Sequence, residues 1–100
     1  FKVRNFFAAY PMTFKFDEVS VKPKYTFNKN LAFGMTDPDV KALQDILKYE
    51  GLMATNIEST SYYGSITRAS VVAFQTKYGI DPLGMVGPQT RAKLNELYSG

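Results

Sequence analysis

The chain has 100 residues, 45% hydrophobic and 21% charged, with a formal net charge of +3; this is the balance of one ordinary globular domain with a modest core. It contains neither cysteine nor histidine, so no disulfide, thiol nucleophile, Ser-His-Asp triad or histidine-based zinc site can be built within it. The basic surplus sits in residues 1–36, where six Lys/Arg face Asp17 and Glu18, while residues 37–100 carry six Lys/Arg against seven Asp/Glu; a nucleic-acid-binding role, which needs concentrated cationic surface on the docking element, is not expected of the second part.

No apolar run is long enough to span a membrane. No secretory signal is visible, and the chain begins at Phe1, as expected of a processed product or an excised piece. No cofactor and no metal is expected.

Residues 1–30 carry β-type signals. Phe14 and Phe16 alternate with polar residues, Val19 and Val21 continue after a slip of one residue, Lys22-Pro23 reads as a turn, and Tyr25 and Phe27 alternate again. The expectation is an N-terminal extended or β-hairpin segment, a linker or a piece tied to an upstream domain. Seven of the eight phenylalanines lie in the first 33 residues, and their rings must be buried against something.

The first helix is expected from Asp37, a cap, through Pro38 at the first helical position. Val40, Leu43, Ile46 and Leu47 form its apolar stripe, and Gly51 ends it. Residues 55–61 are a polar loop. The second helix follows Gly64, with Ser65 as its expected cap. Thr67, Ser70, Val71, Phe74 and Tyr78 share its inner face, and Gly79 stops it. After a turn at residues 80–84, the third helix opens at Gly87-Pro88, with Thr90, Leu94 and Leu97 on its buried side. Helices this short are not stable alone, so residues 31–100 are expected to form one packed three-helix unit, mainly α in class.

The two later helices begin alike. Tyr63–Phe74 and Val86–Leu97 repeat at a spacing of 23, sharing Gly64/Gly87, Thr67/Thr90, Arg68/Arg91 and Ala69/Ala92. Glycine tolerates backbone torsions that other residues resist, and an early helical threonine can bond the turn, so a shared folding role is expected for both Gly-x-x-Thr turns. Gln44 and Gln75 each lie at the edge of an apolar stripe and are expected to tie a loop backbone to its helix. Asp37, Asp39 and Asp81 sit at caps and turns, where aspartate is expected without any catalytic duty.

These pieces, in this order, resemble the peptidoglycan-binding domain of the PG_binding_1 type over residues 31–97. Leu31, Gly34, Val40, Leu43, Gln44, Leu47 and Gly51 fit its opening pattern. Tyr63, Gly64, Thr67, Val71, Phe74 and Gln75, followed by Tyr78-Gly79-Ile80, fit its middle. Gly84, Val86, Gly87, Thr90 and Leu94 fit its close. Three departures stand out: Thr60-Ser61 replaces an Asp-Gly, Leu83 replaces a second Asp, and Ser70 replaces an Ala.

The resemblance implies a three-helix module that binds bacterial cell-wall peptidoglycan, through glycan or stem peptide, and performs no chemistry. It implies a covalently linked wall hydrolase, such as an endolysin, in the full-length protein, and a secreted, periplasmic or phage-encoded product acting at the wall. Beside their folding role, the two Gly-x-x-Thr turns have a functional reading, in which they lie side by side and form a shallow groove for a glycan or stem peptide from Tyr62, Tyr63, Gly64, Thr67 and Arg68 with Met85, Val86, Gly87, Thr90 and Arg91. There Tyr62 and Tyr63 would offer flat rings to sugar faces and backbone N–H groups at the helix starts would meet peptide carboxylates; the two arginines are read first as solvated surface groups, and alternatively as a pair reaching anionic wall groups. Two other readings are compatible with the same residues: a fold retained as a protein-docking module of a phage particle or secreted assembly, and a fragment of a hydrolase whose catalytic domain lies elsewhere.

Overall fold

A computed structural model describes residues 22–100. The expected alternation at residues 14–21 lies outside the described residues. Three helices follow one another: α1 (Pro38–Tyr49), α2 (Ser65–Lys77) and α3 (Pro88–Tyr98). The described residues contain no strand, only isolated antiparallel bridges between Leu31 and Val86 and between Thr36 and Tyr62.

The start of α1 follows the sequence expectation. Asp37 is the N-cap and its carboxylate accepts from the Asp39 N–H at 2.9 Å, with Pro38 at the first position. The helix runs out at Glu50, and Gly51 takes a positive φ of 79°. Val40, Leu43, Ile46 and Leu47 all enter the core. The start of α2 is a correction: Gly64 is the N-cap, Ser65 is already helical, and no side chain caps the helix. In α3 the buried set is Thr90, Leu94 and Tyr98. Leu97 only packs against its edge, because Tyr98 rather than Leu97 continues the four-residue stride from Thr90 and Leu94.

Residues 22–28 run extended without joining a sheet. The expected alternation is present: Tyr25 is half-buried and Phe27 fully buried, between exposed Lys24, Thr26 and Asn28. The partner is a helix end. The Tyr25 N–H donates to the Tyr98 carbonyl at 2.9 Å. The Phe27 N–H donates to Asn95 Oδ1 at 2.7 Å, and Asn95 Nδ2 donates back to the Phe27 carbonyl at 2.9 Å. A side-chain amide thus does for Phe27 what a neighbouring strand would do.

The three helix C-termini converge on Glu50, the C-cap of α1. Its carboxylate accepts from Lys77 Nζ at the end of α2, from the Tyr78 hydroxyl at the α2 C-cap, and from the Tyr98 hydroxyl at the end of α3. Only 6% of the Glu50 side chain is exposed. Burial pushes its pKa up, but donation from Lys77, Tyr98 and Tyr78 outweighs burial and holds it below the ordinary carboxylate value. The two tyrosine hydroxyls are pushed the other way, by burial first and by the carboxylate second. Because the folded-state pKa is depressed, the unfolded chain binds the proton first as pH falls. The stabilisation is therefore complete above the unfolded value and is lost as pH drops through the folded one. Glu50→Gln is expected to cost about 1–3 kcal/mol at neutral pH and to flatten the acid limb of a thermal-stability profile below about pH 4.5, read by circular dichroism melts.

Candidate functional site

Residues 31–36 hold the two repeated turns together. Leu31 exchanges backbone hydrogen bonds with Val86 at 3.1 and 2.7 Å. Further along, the Gly34 N–H donates to the Tyr63 carbonyl at 2.8 Å, and the Tyr63 N–H donates to the Met35 carbonyl at 2.9 Å. The turns also touch directly, through the Tyr63 hydroxyl donating to the Gly84 carbonyl at 2.6 Å.

The Tyr63 ring is fully buried, which corrects the expectation that it faces a sugar; burial also raises its pKa strongly. Val86 is likewise buried. Arg68 lies across Gly84, whose φ is +84°; a Cβ there would stand 3.1 Å from Arg68 Cγ. Gly84 is therefore the turn glycine favoured by its positive φ, in a place where a Cβ would also press on the Arg68 side chain. Tyr63 fills the junction where the turns meet, and the exposed Arg68 lies along its edge.

Open space lies instead at the start of each helix. The first cleft, about 350 Å³, is formed at the start of α2 by Gly64, Ser65 and Ile66, with Tyr62, Ile57 and Glu58 around it. The second, about 280 Å³, is formed at the start of α3 by Gly87, Pro88 and Gln89, with Met85, Ile80 and Asp81 around it. Neither is lined by a lysine or arginine, and each has one carboxylate. Arg68 lines a separate shallow hollow with Ser65, Ala69 and Val72. Arg91 lines neither cleft, and its Nε is buried without a hydrogen-bond partner. The expected pair of arginines is therefore not brought to the two clefts.

Both clefts have the same floor. Gln44 of α1, 4% exposed, donates through Nε2 to the Thr67 hydroxyl at 2.9 Å and the Tyr62 carbonyl at 3.0 Å, while Oε1 accepts from the Thr60 N–H at 2.6 Å. Gln75 of α2, 1% exposed, donates to the Thr90 hydroxyl at 3.0 Å and the Met85 carbonyl at 2.7 Å, and accepts from the Gly84 N–H at 2.9 Å. Each amide group thus has its two donors and its acceptor engaged. The glutamines tie loop to helix, as their positions suggest. The threonines are held by a glutamine from the preceding helix, a partnership that the repeated turns alone did not reveal.

Gly64 and Gly87 cap their helices with nearly the same backbone, φ −98°, ψ −168° and φ −97°, ψ −167°. These are ordinary extended torsions, so the conformational reason expected for glycine does not apply at either place. A Cβ on Gly64 would come within 3.2 Å of the Tyr62 ring, and one on Gly87 would meet nothing within 4 Å. What both glycines do is leave bare backbone at the cleft. Neither helix start has a side-chain cap.

The absent Asp-Gly before Tyr62 is partly replaced. The Thr60 hydroxyl accepts from the Tyr62 N–H at 3.2 Å, the short-range turn bond that an aspartate would otherwise make. At the matching place in the second turn, Leu83 is 63% exposed. Tyr62 itself is 49% exposed. Leu83, noted in the sequence only as standing in place of an Asp, and Ile66, which sequence reasoning did not single out, are both exposed at the clefts; an isolated exposed apolar residue is common on protein surfaces, so Ile66 carries no distinct signal in the sequence.

The family described as "Putative peptidoglycan binding domain" matches residues 36–94, which include both turns and the lining of both clefts. An uncharacterized protein in the bpoA1 3' region of Kitasatospora aureofaciens is 46% identical over 56 residues, covering 56% of this chain and 47% of that protein. The Burkholderia AP3 phage endolysin superposes with a TM-score of 0.58 at 35% identity, over 66% of this chain and 24% of the endolysin. A peptidoglycan-binding protein from Clostridioides difficile, solved with glutamine hydroxamate, gives 0.62 at 38% identity, over 71% of this chain and 43% of that one. The SleB N-terminal domain gives 0.64 at 28% identity, over 72% of this chain and 96% of that domain. The matched region is thus less than half of the Kitasatospora protein, the endolysin and the Clostridioides protein. With its family match over more than half of its length and its three-helix fold, this chain belongs to the peptidoglycan-binding domain family.

Proposed function

We propose that this chain binds bacterial cell-wall peptidoglycan at its helix-start clefts, does no chemistry itself, and holds an attached wall hydrolase on its substrate. The observation that carries this reading is the coincidence of the family match with two clefts edged by exposed side chains and uncapped backbone. Gly87 adds to it, because neither its φ nor its surroundings require a glycine, yet a side chain there would project into open space at the cleft. Tyr62 would stack on a sugar or peptide face, and contacts of this size are individually weak, so retention would rest on many wall sites and on tethering. The action would take place at the cell wall, with the residues ahead of the helices as the connection to a catalytic partner.

Co-sedimentation of the chain with purified insoluble peptidoglycan tests the reading. Binding that persists at moderate salt supports it. Binding that vanishes with salt points instead to attraction through the N-terminal lysines, and no sedimentation at any salt favours a protein-docking module. Tyr62→Ala, which removes a half-exposed ring, is expected to weaken sedimentation about 5- to 20-fold, on the scale of 1–2 kcal/mol, with the melting temperature nearly unchanged.

A further inference from the structure

The two clefts are not merely similar in kind. Apart from Gln75, every residue that lines the second cleft is the residue 23 positions after one that lines the first. Ile57 answers to Ile80, Glu58 to Asp81, Tyr62 to Met85, Gly64 to Gly87 and Thr67 to Thr90. The glutamine floor keeps the same partners: a carbonyl at Tyr62 or Met85 and a hydroxyl at Thr67 or Thr90. The cap torsions agree within 1°, and the volumes, 350 and 280 Å³, are comparable. The repeat visible in the sequence began at Tyr63, whereas the repeat in cleft lining begins at Ile57, in a loop where little sequence identity survives.

Folding accounts for part of this. The glutamine and threonine need each other, and so are retained together. A place in a turn suits Asp81 taken alone, but it does not account for the recurrence of an apolar residue and then a carboxylate at the same two places around each opening, since Glu58 and Asp81 are exposed and make no ion pair among the described residues. Two openings of one plan, with the same charge and the same backbone presentation, select the same class of ligand.

We propose that the chain carries two equivalent subsites that take two repeat units of one wall polymer, the α2-start cleft with its tyrosine and the α3-start cleft with a methionine in the same place. The proposal rests on the wall-binding reading above. Two weak sites on one rigid unit act on a polymer as a single tight one, because the second contact is intramolecular once the first is made. Tyr63, buried between the turns and bonded to Gly84, fixes the spacing of the subsites.

The test is calorimetric titration of the chain with a soluble single-unit disaccharide-peptide released from peptidoglycan. The expected stoichiometry is two fragments per chain. Ile66→Trp and Gln89→Trp stand at matching exposed positions, and each would fill one cleft. Either alone is expected to reduce the stoichiometry to one and to weaken retention on insoluble peptidoglycan by about 10-fold or more; together they should abolish both. A wild-type stoichiometry of one, with one of the two variants silent, overturns the two-subsite proposal and leaves wall binding intact. A chain that binds neither fragment nor insoluble wall overturns both. The wild-type stoichiometry needs no variant, so the proposal stays testable if a tryptophan substitution fails to fold.

Discussion

Gln75→Leu is expected to destabilise the chain by about 3 kcal/mol, read as a lower urea midpoint with an unchanged slope. Leucine keeps much of the volume but satisfies none of the three groups that Gln75 now serves: the Met85 carbonyl, the Gly84 N–H and the Thr90 hydroxyl. The site is almost sealed from solvent, with Gln75 1% and Thr90 2% exposed, so water cannot readily substitute. Gln44→Leu should act in the same direction through Thr67, Tyr62 and Thr60. Since each glutamine floors one cleft, each variant should also weaken wall retention, through the loop it releases. A midpoint shift equivalent to less than about 1 kcal/mol for both variants would show that the loops are held by other contacts.

Phe27→Ala should have the larger effect, about 3–5 kcal/mol. Its ring is 1% exposed and belongs to the same core cluster as Leu31, Val40, Leu43, Leu94 and Tyr98, although it lies 11 residues ahead of the first helix. A domain of this size has only about 5–15 kcal/mol in total, so this one truncation removes at least about a fifth of it. Phe27→Leu is expected to recover most of the loss. Asn95→Ala, which removes both hydrogen bonds to the Phe27 backbone, should cost about 1–2 kcal/mol and leave the ring's burial in place. An alanine at residue 27 with wild-type stability would mean that the extended segment is not part of the folded unit.

The parts of the fold that were legible in the sequence are those set by local chemistry. Asp37-Pro38 and Gly51 bracket α1 because a capping carboxylate, a proline and a positive-φ glycine each act within one helical turn. The apolar stripe of α1 was readable because all four residues obey one helical period. Ser65 misled because serine is a good cap in isolation, while the chain here uses Gly64 and leaves the helix start bare.

What the sequence did not disclose depends on pairs distant along the chain. Gln44 and Thr67 are 23 residues apart, Gln75 and Thr90 only 15, so no fixed spacing announces the clamp. Glu50 looks like a surface carboxylate at the end of a helix until Lys77, Tyr78 and Tyr98 arrive from two other helices. The alternation of Tyr25 and Phe27 was real, but the same period serves a strand and an extended segment docked on Asn95. At the candidate site, the repeated glycines and threonines lie where the two clefts open. Which side chains remain available there was settled only by packing: Tyr62 is open and Tyr63 is not.

The central claim, that the helix-start clefts bind the wall, is tested most directly by following backbone amide NMR signals as a soluble disaccharide-peptide fragment is added. The expected result is that the largest shifts fall on residues 64–67 and 87–90 and their flanking loops, while α1 away from Gln44 stays unmoved. Shifts confined to the N-terminal lysines, or none anywhere at saturating fragment, would contradict it.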